Sequence, residues 1–202
     1  MANPKVRGFF DEPSFTVSYL VWDPASRRGA VIDSVLDFDP KSGRTGTRSA
    51  QAMLDAAREE RIVIDWILET HAHADHLSAA PFLKRKADAQ IVIGDHIKEV
   101  QGVFKKVFNL EDLAPDGSAF DRLVADGDKL GLGEIEIEVM HTPGHTPACV
   151  SYRIGDAVFV GDTMFMPDYG TARTDFPGGD ARTLYRSIRR ILALPLQTRV
   201  FL

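Results

Sequence analysis

Short apolar runs rich in β-branched and aromatic residues, separated by turn formers, fill the first part of the chain. Residues 6–10 and 15–22 read as strands joined by the turn Asp11-Glu12-Pro13. Asp23-Pro24 ends the second, and residues 29–33 make a third short strand. The period then changes. Ala50, Met53, Leu54 and Ala57 share one face at helical spacing, which predicts a helix over 47–60. Residues 62–69 are again β-branched and apolar, a strand that stops just before His71. A helix is expected from Ser78, read as its N-cap, to about Ala87, with Pro81 tolerated in the first turn. Residues 91–93 form a buried strand and 95–107 a further helix.

From Asp121 onward strands return, at 122–124, around Leu130, and at 135–140, 148–154 and 157–160. A helix over 181–194 and a last strand over 199–202 complete the pattern. Strand-rich halves, each closed by helices, predict sheets packed on each other with helices outside. No repeat, low-complexity tract or linker interrupts the 202 residues, so one domain spanning 1–202 is expected.

Composition narrows the partners. The net charge is −5, and Lys84-Arg85-Lys86 is the longest basic run, read as a solvated helix face. A nucleic-acid surface needs clustered cations and is not expected. The first twelve residues lack a positive segment followed by an apolar run, and no stretch reaches membrane-spanning length, so no membrane association is expected. The single cysteine, Cys149, allows no internal disulfide. The default location is cytoplasmic; a mitochondrial matrix enzyme stripped of its transit peptide would read the same.

Three of the six histidines fall within Thr70-His71-Ala72-His73-Ala74-Asp75-His76, in a loop beyond a strand end. Imidazole and carboxylate are the ligands that suit zinc, iron and manganese. A second cluster, His141-Thr142-Pro143-Gly144-His145, also follows a strand, and Pro143-Gly144 makes a tight turn that can present His145. A third strand ends at Gly161-Asp162-Thr163 and brings a carboxylate to its rim. His71, His73, Asp75, His76, His145 and Asp162 are therefore the candidate metal-site residues. His141 reads as structural, His96 as a surface-helix residue without function, and Asp33 as a turn former.

The three motifs, in this order and with these gaps, resemble the metallo-β-lactamase superfamily across essentially the whole chain. The resemblance implies an α/β fold of the four-layer αββα type, with a metal site at one edge between two sheets. It implies one site from His71, His73, His145 and Asp162, and a second from Asp75, His76, Asp162 and a further histidine. That histidine would follow the strand Val200-Phe201-Leu202, where the chain stops, so a fold short of its C-terminal elements is expected.

Within the superfamily, Asp168-Tyr169-Gly170-Thr171-Ala172-Arg173-Thr174-Asp175-Phe176 and the Cys149 segment are similar to glutathione-dependent persulfide dioxygenases, including the bacterial β-lactamase-like hydrolase branch. Those enzymes hold one iron(II) with two histidines and one aspartate, which carry over to His71, His145 and Asp162. His73, Asp75 and His76 would then orient ligands and waters, or form half of a second site. The implied reaction is oxidation of glutathione persulfide by O2 to sulfite, with Arg173, Tyr169 and Cys149 as candidate substrate-binding residues. Arg173 could equally pair with Asp175, and Cys149 could be a small core residue. A homodimer is compatible with this reading.

Two alternatives stand beside it. One is a glyoxalase II-like hydrolase of glutathione thioesters, in which zinc(II) activates water and Asp75 orients the nucleophile or acts as base. The other is a non-catalytic metal-binding protein.

Overall fold

The computed structural model describes residues 3–202, which group into two compact units. The first takes the residues through Glu69, His73–Val92 and Gly131–Glu136; the second takes Thr70–Ala72, Ile93–Leu130 and Ile137–Leu202.

In the first unit, β1 (Lys5–Asp11), β2 (Thr16–Trp22), β3 (Arg28–Ile32), β6 (Val63–Leu68) and the first three residues of β8 (Gln90–Gly94) lie side by side in that order. β1, β2 and β3 pair antiparallel, whereas β3, β6 and β8 pair parallel. The parallel strands are near-continuous apolar runs, as strands covered on both faces require; Val31, Ile32, Ile67 and Leu68 are fully buried. Between β3 and β6 lie β4 (Val35–Asp39), β5 (Arg44–Gly46) and α1 (Arg48–Glu59). After β6 come β7 (Leu77–Ser78) and α2 (Ala80–Ala87). α1 buries Ala50, Met53 and Ala57 of the predicted face, with Ala56 beside them, while Leu54 is half-buried. Thr47 gives it no side-chain cap; instead the Asp37 carboxylate accepts the amides of Arg48 and Ser49.

The second unit holds α3 (Ile97–Val107), β9 (Arg122–Val124), the first two residues of β10 (Lys129–Leu132), the last five of β11 (Ile135–His141), β12 (Val150–Ile154), β13 (Ala157–Phe159), a 3₁₀ turn (Gly161–Thr163), α4 (Ala181–Leu192) and β14 (Arg199–Phe201). Its sheet runs β11-β12-β13-β14, antiparallel through β11, β12 and β13 and parallel between β13 and β14. Two buried clusters hold it. Ile93, Ile97, Val100 and Ala148 pack under α3, and Met140, Val158, Val160 and Ile191 under α4.

The helices and most strands lie where the apolar periodicity puts them. Three local expectations change and one holds. Phe15 is not in a strand but takes a left-handed turn conformation (φ 56°). Asp33 does the same at φ 48° beyond β3, as expected of a turn former. The N-cap of α2 is Ala79, while the Ser78 hydroxyl accepts the amide of Ala80 from one residue earlier. The β4–β5 hairpin, with β7 paired to β4, occupies a stretch whose alternating Asp37 and Asp39 conceal a strand.

Candidate metal centre

His71, His145 and Asp162 all belong to the second unit, and their ligand atoms lie within 4.8 Å of one another. Each is placed by a chain feature of its own. The Val150 amide bonds to the Thr70 carbonyl (2.9 Å), which fixes the chain at His71, and the Thr70 hydroxyl lies 3.0 Å from His71 Nδ1. His145 follows Gly144, whose φ of 140° and position against Leu184 leave no room for a side chain: a Cβ there would sit 2.4 Å from the Leu184 backbone. Asp162 follows Gly161, at φ 49°, where a Cβ would meet the Thr70 hydroxyl at 2.4 Å. The glycines of the second and third motifs thus let the chain turn close against its neighbours and deliver one ligand each.

His145 Nδ1 lies 2.8 Å from the Arg173 carbonyl oxygen. A carbonyl only accepts, so Nδ1 carries the hydrogen and Nε2 offers its lone pair. That Nε2 lies 3.5 Å from Asp162 Oδ2, and His71 Nε2 lies 3.8 Å from the same oxygen. Donors each about 2.1 Å from a shared ion sit roughly 3–3.5 Å apart, so the three fit one metal with little adjustment. Both histidines are almost wholly buried, their rings edge to face at 5.2 Å, whereas Asp162 is partly exposed.

The first unit carries two further groupings, His73 with Asp75 and His76, and His73 with Asp33 and Glu69. His73 Nε2 lies 3.1 Å from Asp33 Oδ1 and 3.2 Å from Glu69 Oε2, so this atom donates to carboxylates. Burial disfavours a charged His73, but the Asp33 and Glu69 carboxylates outweigh it and hold the imidazole pKa well above its ordinary value. The Ser78 hydroxyl donates to the other Glu69 oxygen at 2.6 Å. His76 stacks on His73 at 4.2 Å and bonds through Nδ1 to the Leu77 carbonyl, and its buried Nε2 has no hydrogen-bond partner among the described residues. Asp75 accepts the Thr16 hydroxyl at 3.1 Å.

Asp33 and Glu69 were not singled out from sequence as partners of the histidine loop. The usable signal was Glu69 itself, a carboxylate closing an apolar strand four residues before His73. The other residues named from sequence lie as follows. Arg173 forms a two-point ion pair with Asp175 (both bonds 2.6 Å) and lies over the Phe176 ring, holding the Asp175 carboxyl down to about 2. Tyr169 is largely exposed and meets Phe165 edge to face. Cys149 is buried, with the Thr146 amide 3.3 Å from its sulfur. His141 bonds through Nε2 to the Pro147 carbonyl and stacks on His96.

A model of the metallo-β-lactamase superfamily matches residues 11–201. The chain belongs to that superfamily. A probable metallo-hydrolase of Burkholderia pseudomallei is 55% identical over 208 residues, covering 98% of this chain and 71% of the relative. A β-lactamase hydrolase-like protein of Xylella fastidiosa is 50% identical over 98% of this chain, yet the chain spans only 46% of that protein. The mitochondrial persulfide dioxygenase ETHE1 of Homo sapiens is 31% identical over 94% of this chain and 64% of its own length. Among solved structures, ETHE1 from Myxococcus xanthus superposes with a TM-score of 0.76 at 31% identity, covering 97% of this chain and 73% of that one. The chain therefore has the metallo-β-lactamase fold and the metal-binding clusters of an enzyme superfamily. No helix of the described residues is long and apolar enough to cross a membrane.

Proposed function

We propose that this chain is a persulfide dioxygenase that uses one iron(II), held by His71, His145 and Asp162, to oxidise glutathione persulfide. The observation that carries this is the grouping itself. Two imidazole nitrogens and one carboxylate converge in the second unit, while the next histidine of the motif, His73, turns its Nε2 to Asp33 and Glu69. A ligand set of two histidines and one carboxylate leaves three positions open on an iron, which supplies binding places for sulfur and O2 and a redox change that zinc lacks.

The chain's own groups do the rest. The Arg173 carbonyl keeps His145 in the tautomer that offers Nε2. Burial of both histidines excludes water and strengthens their hold on a cation. In the overall reaction, glutathione persulfide, O2 and one water give glutathione, sulfite and two protons; the outer sulfur loses four electrons and O2 gains them. The 31% identity to persulfide dioxygenase ETHE1 supports this reading.

A second reading, a zinc-dependent thioester hydrolase with Asp75 as base, is favoured by the His73, Asp75 and His76 grouping and by the 55% identical probable metallo-hydrolase. Oxygen uptake by the iron-loaded chain with glutathione persulfide decides between them. Uptake with sulfite release is the expected result. No uptake, with hydrolysis of a glutathione thioester by the zinc-loaded chain, would establish the second reading. We further propose a location in the cytoplasm and a homodimeric state.

A further inference from the structure

The first unit contains a cavity of about 900 Å³ between the β4–β5 hairpin, the Asp11 turn and the His73–Leu77 segment. That size lies at the upper end of the roughly 300–1,000 Å³ found for small-molecule sites. The hairpin is held in place by pairing: Leu36 with Leu77 and Val35 with Ser78. It is thus tied to the stretch that carries His76.

The walls carry both signs of charge, and the two signs are engaged differently. Asp11 accepts the amide and hydroxyl of Ser14. Asp37 accepts the amides of Arg48 and Ser49 and the Ser49 hydroxyl, and Asp39 accepts the Lys41 amide and the Ser42 hydroxyl. These three carboxylates fasten the hairpin and its surroundings. Among the described residues Asp75 makes one hydrogen bond, accepting the Thr16 hydroxyl at Oδ2. Arg44 and Arg48 also line the cavity; both are exposed, and neither side chain makes a hydrogen bond or ion pair among the described residues. Arg48 does act at longer range on Asp37, whose carboxyl burial would raise but which Ser49 and Arg48 together hold below the usual range.

Four carboxylates against two guanidiniums would repel a purely anionic ligand. A zwitterion meets both signs. We propose that this cavity docks the zwitterionic amino-acid end of a peptide thiol, with Arg44 and Arg48 gripping its carboxylate and Asp75 taking its ammonium. Guanidinium is the group suited to two-point recognition of a carboxylate. The γ-glutamyl end of glutathione has this chemistry, so the inference rests on the reading of the substrate as a glutathione derivative and assigns the hairpin as the element that selects it.

Calorimetric titration of the whole chain with reduced glutathione tests the site apart from catalysis. Glutathione and its glycine monoethyl ester should bind alike, because both keep the zwitterion, whereas N-acetylglutathione should bind about tenfold or more weakly. Arg44→Ala and Arg48→Ala should each weaken glutathione binding about tenfold, with partial recovery in Arg44→Lys. Thermal unfolding of each variant establishes that it is folded. Equal binding of N-acetylglutathione, unchanged affinity in both alanine variants, or no binding of glutathione at millimolar concentration would overturn the proposal. Oxygen uptake separates its failure from that of the activity. Persulfide oxidation with unaltered KM in both variants sinks the docking site and leaves the dioxygenase. Glutathione binding that depends on Arg44 in a chain that takes up no oxygen does the reverse.

Discussion

His145 Nδ1 lies 2.8 Å from the carbonyl oxygen of Arg173, so the residue that orients this imidazole does so through its main chain. The Arg173 side chain is engaged elsewhere, with Asp175 and over Phe176. Arg173→Ala keeps the carbonyl and should leave bound metal near the wild-type level, whereas His145→Ala should remove it. The ion pair itself is exposed and screened by solvent, so it contributes little to stability. Metal content by elemental analysis after purification checks both. Loss of metal in Arg173→Ala would mean that the side chain, and not the carbonyl, holds the site.

His73 sits between two buried carboxylates, and its removal should be costly for reasons unconnected with metal. His73→Ala leaves Asp33 and Glu69 buried without the imidazolium they share. Breaking a buried ionic cluster from one side costs roughly 3–5 kcal/mol. Urea denaturation should show a loss of that order, with most of it recovered when Asp33→Asn and Glu69→Gln are added, because the uncompensated charges are then gone. A triple variant as unstable as His73→Ala would show that lost packing, not charge, sets the cost.

These two residues also mark what the sequence could and could not reveal. His145 was legible because Pro143-Gly144 and the end of β11 are local signals, and Asp162 because an apolar strand closes on Gly161. Whether His73 belongs with His71 was not legible. That depends on Asp33, which lies forty positions away and arrives through the parallel pairing of β3 with β6. The β4–β5 hairpin was missed for a similar reason. Leu36 and Phe38 alternate with Asp37 and Asp39, and those carboxylates are spent on the start of α1 and on the hairpin's own turn. A polar-looking stretch becomes a strand only once these partners are known. Phe15 errs in the other direction: its apolar side chain extends the strand pattern, but its backbone turns.

Asp23 provides an acid-stability prediction. Burial would raise its pKa, but the Ser26 hydroxyl and the amides of Glu134, Ala25 and Ser26 outweigh that and lower it from 3.8 to about 2. A folded-state pKa below the unfolded one means a stabilising contribution that is complete above about pH 4 and is lost as the pH falls through 2. Asp23→Asn should therefore destabilise the chain by roughly 1–3 kcal/mol at pH 7, from donors left imperfectly paired. The gap to the wild type should narrow below pH 4. Denaturant midpoints measured at pH 7, 5, 3 and 2 test this, and a gap constant with pH would rule out the carboxylate as its source.

Metal stoichiometry in variants of the first unit's grouping discriminates most sharply between the two chemical readings. His76 is only partly buried and Asp75 is exposed, so neither His76→Ala nor Asp75→Ala uncovers a buried charge as loss of His73 does. If His71, His145 and Asp162 hold a single iron, both variants should still bind about one iron per chain, with affinity changed no more than the 10–100-fold expected for groups that only support the ligands. Their turnover with glutathione persulfide should fall by a similar factor at most. If the chain instead works with two metals, as the hydrolase reading requires, each substitution should drop the stoichiometry from two to one and abolish thioester cleavage. Asp162→Ala should empty the centre under either reading. Retention of stoichiometric metal in Asp162→Ala would show that the second unit's three donors are not the ligands at all.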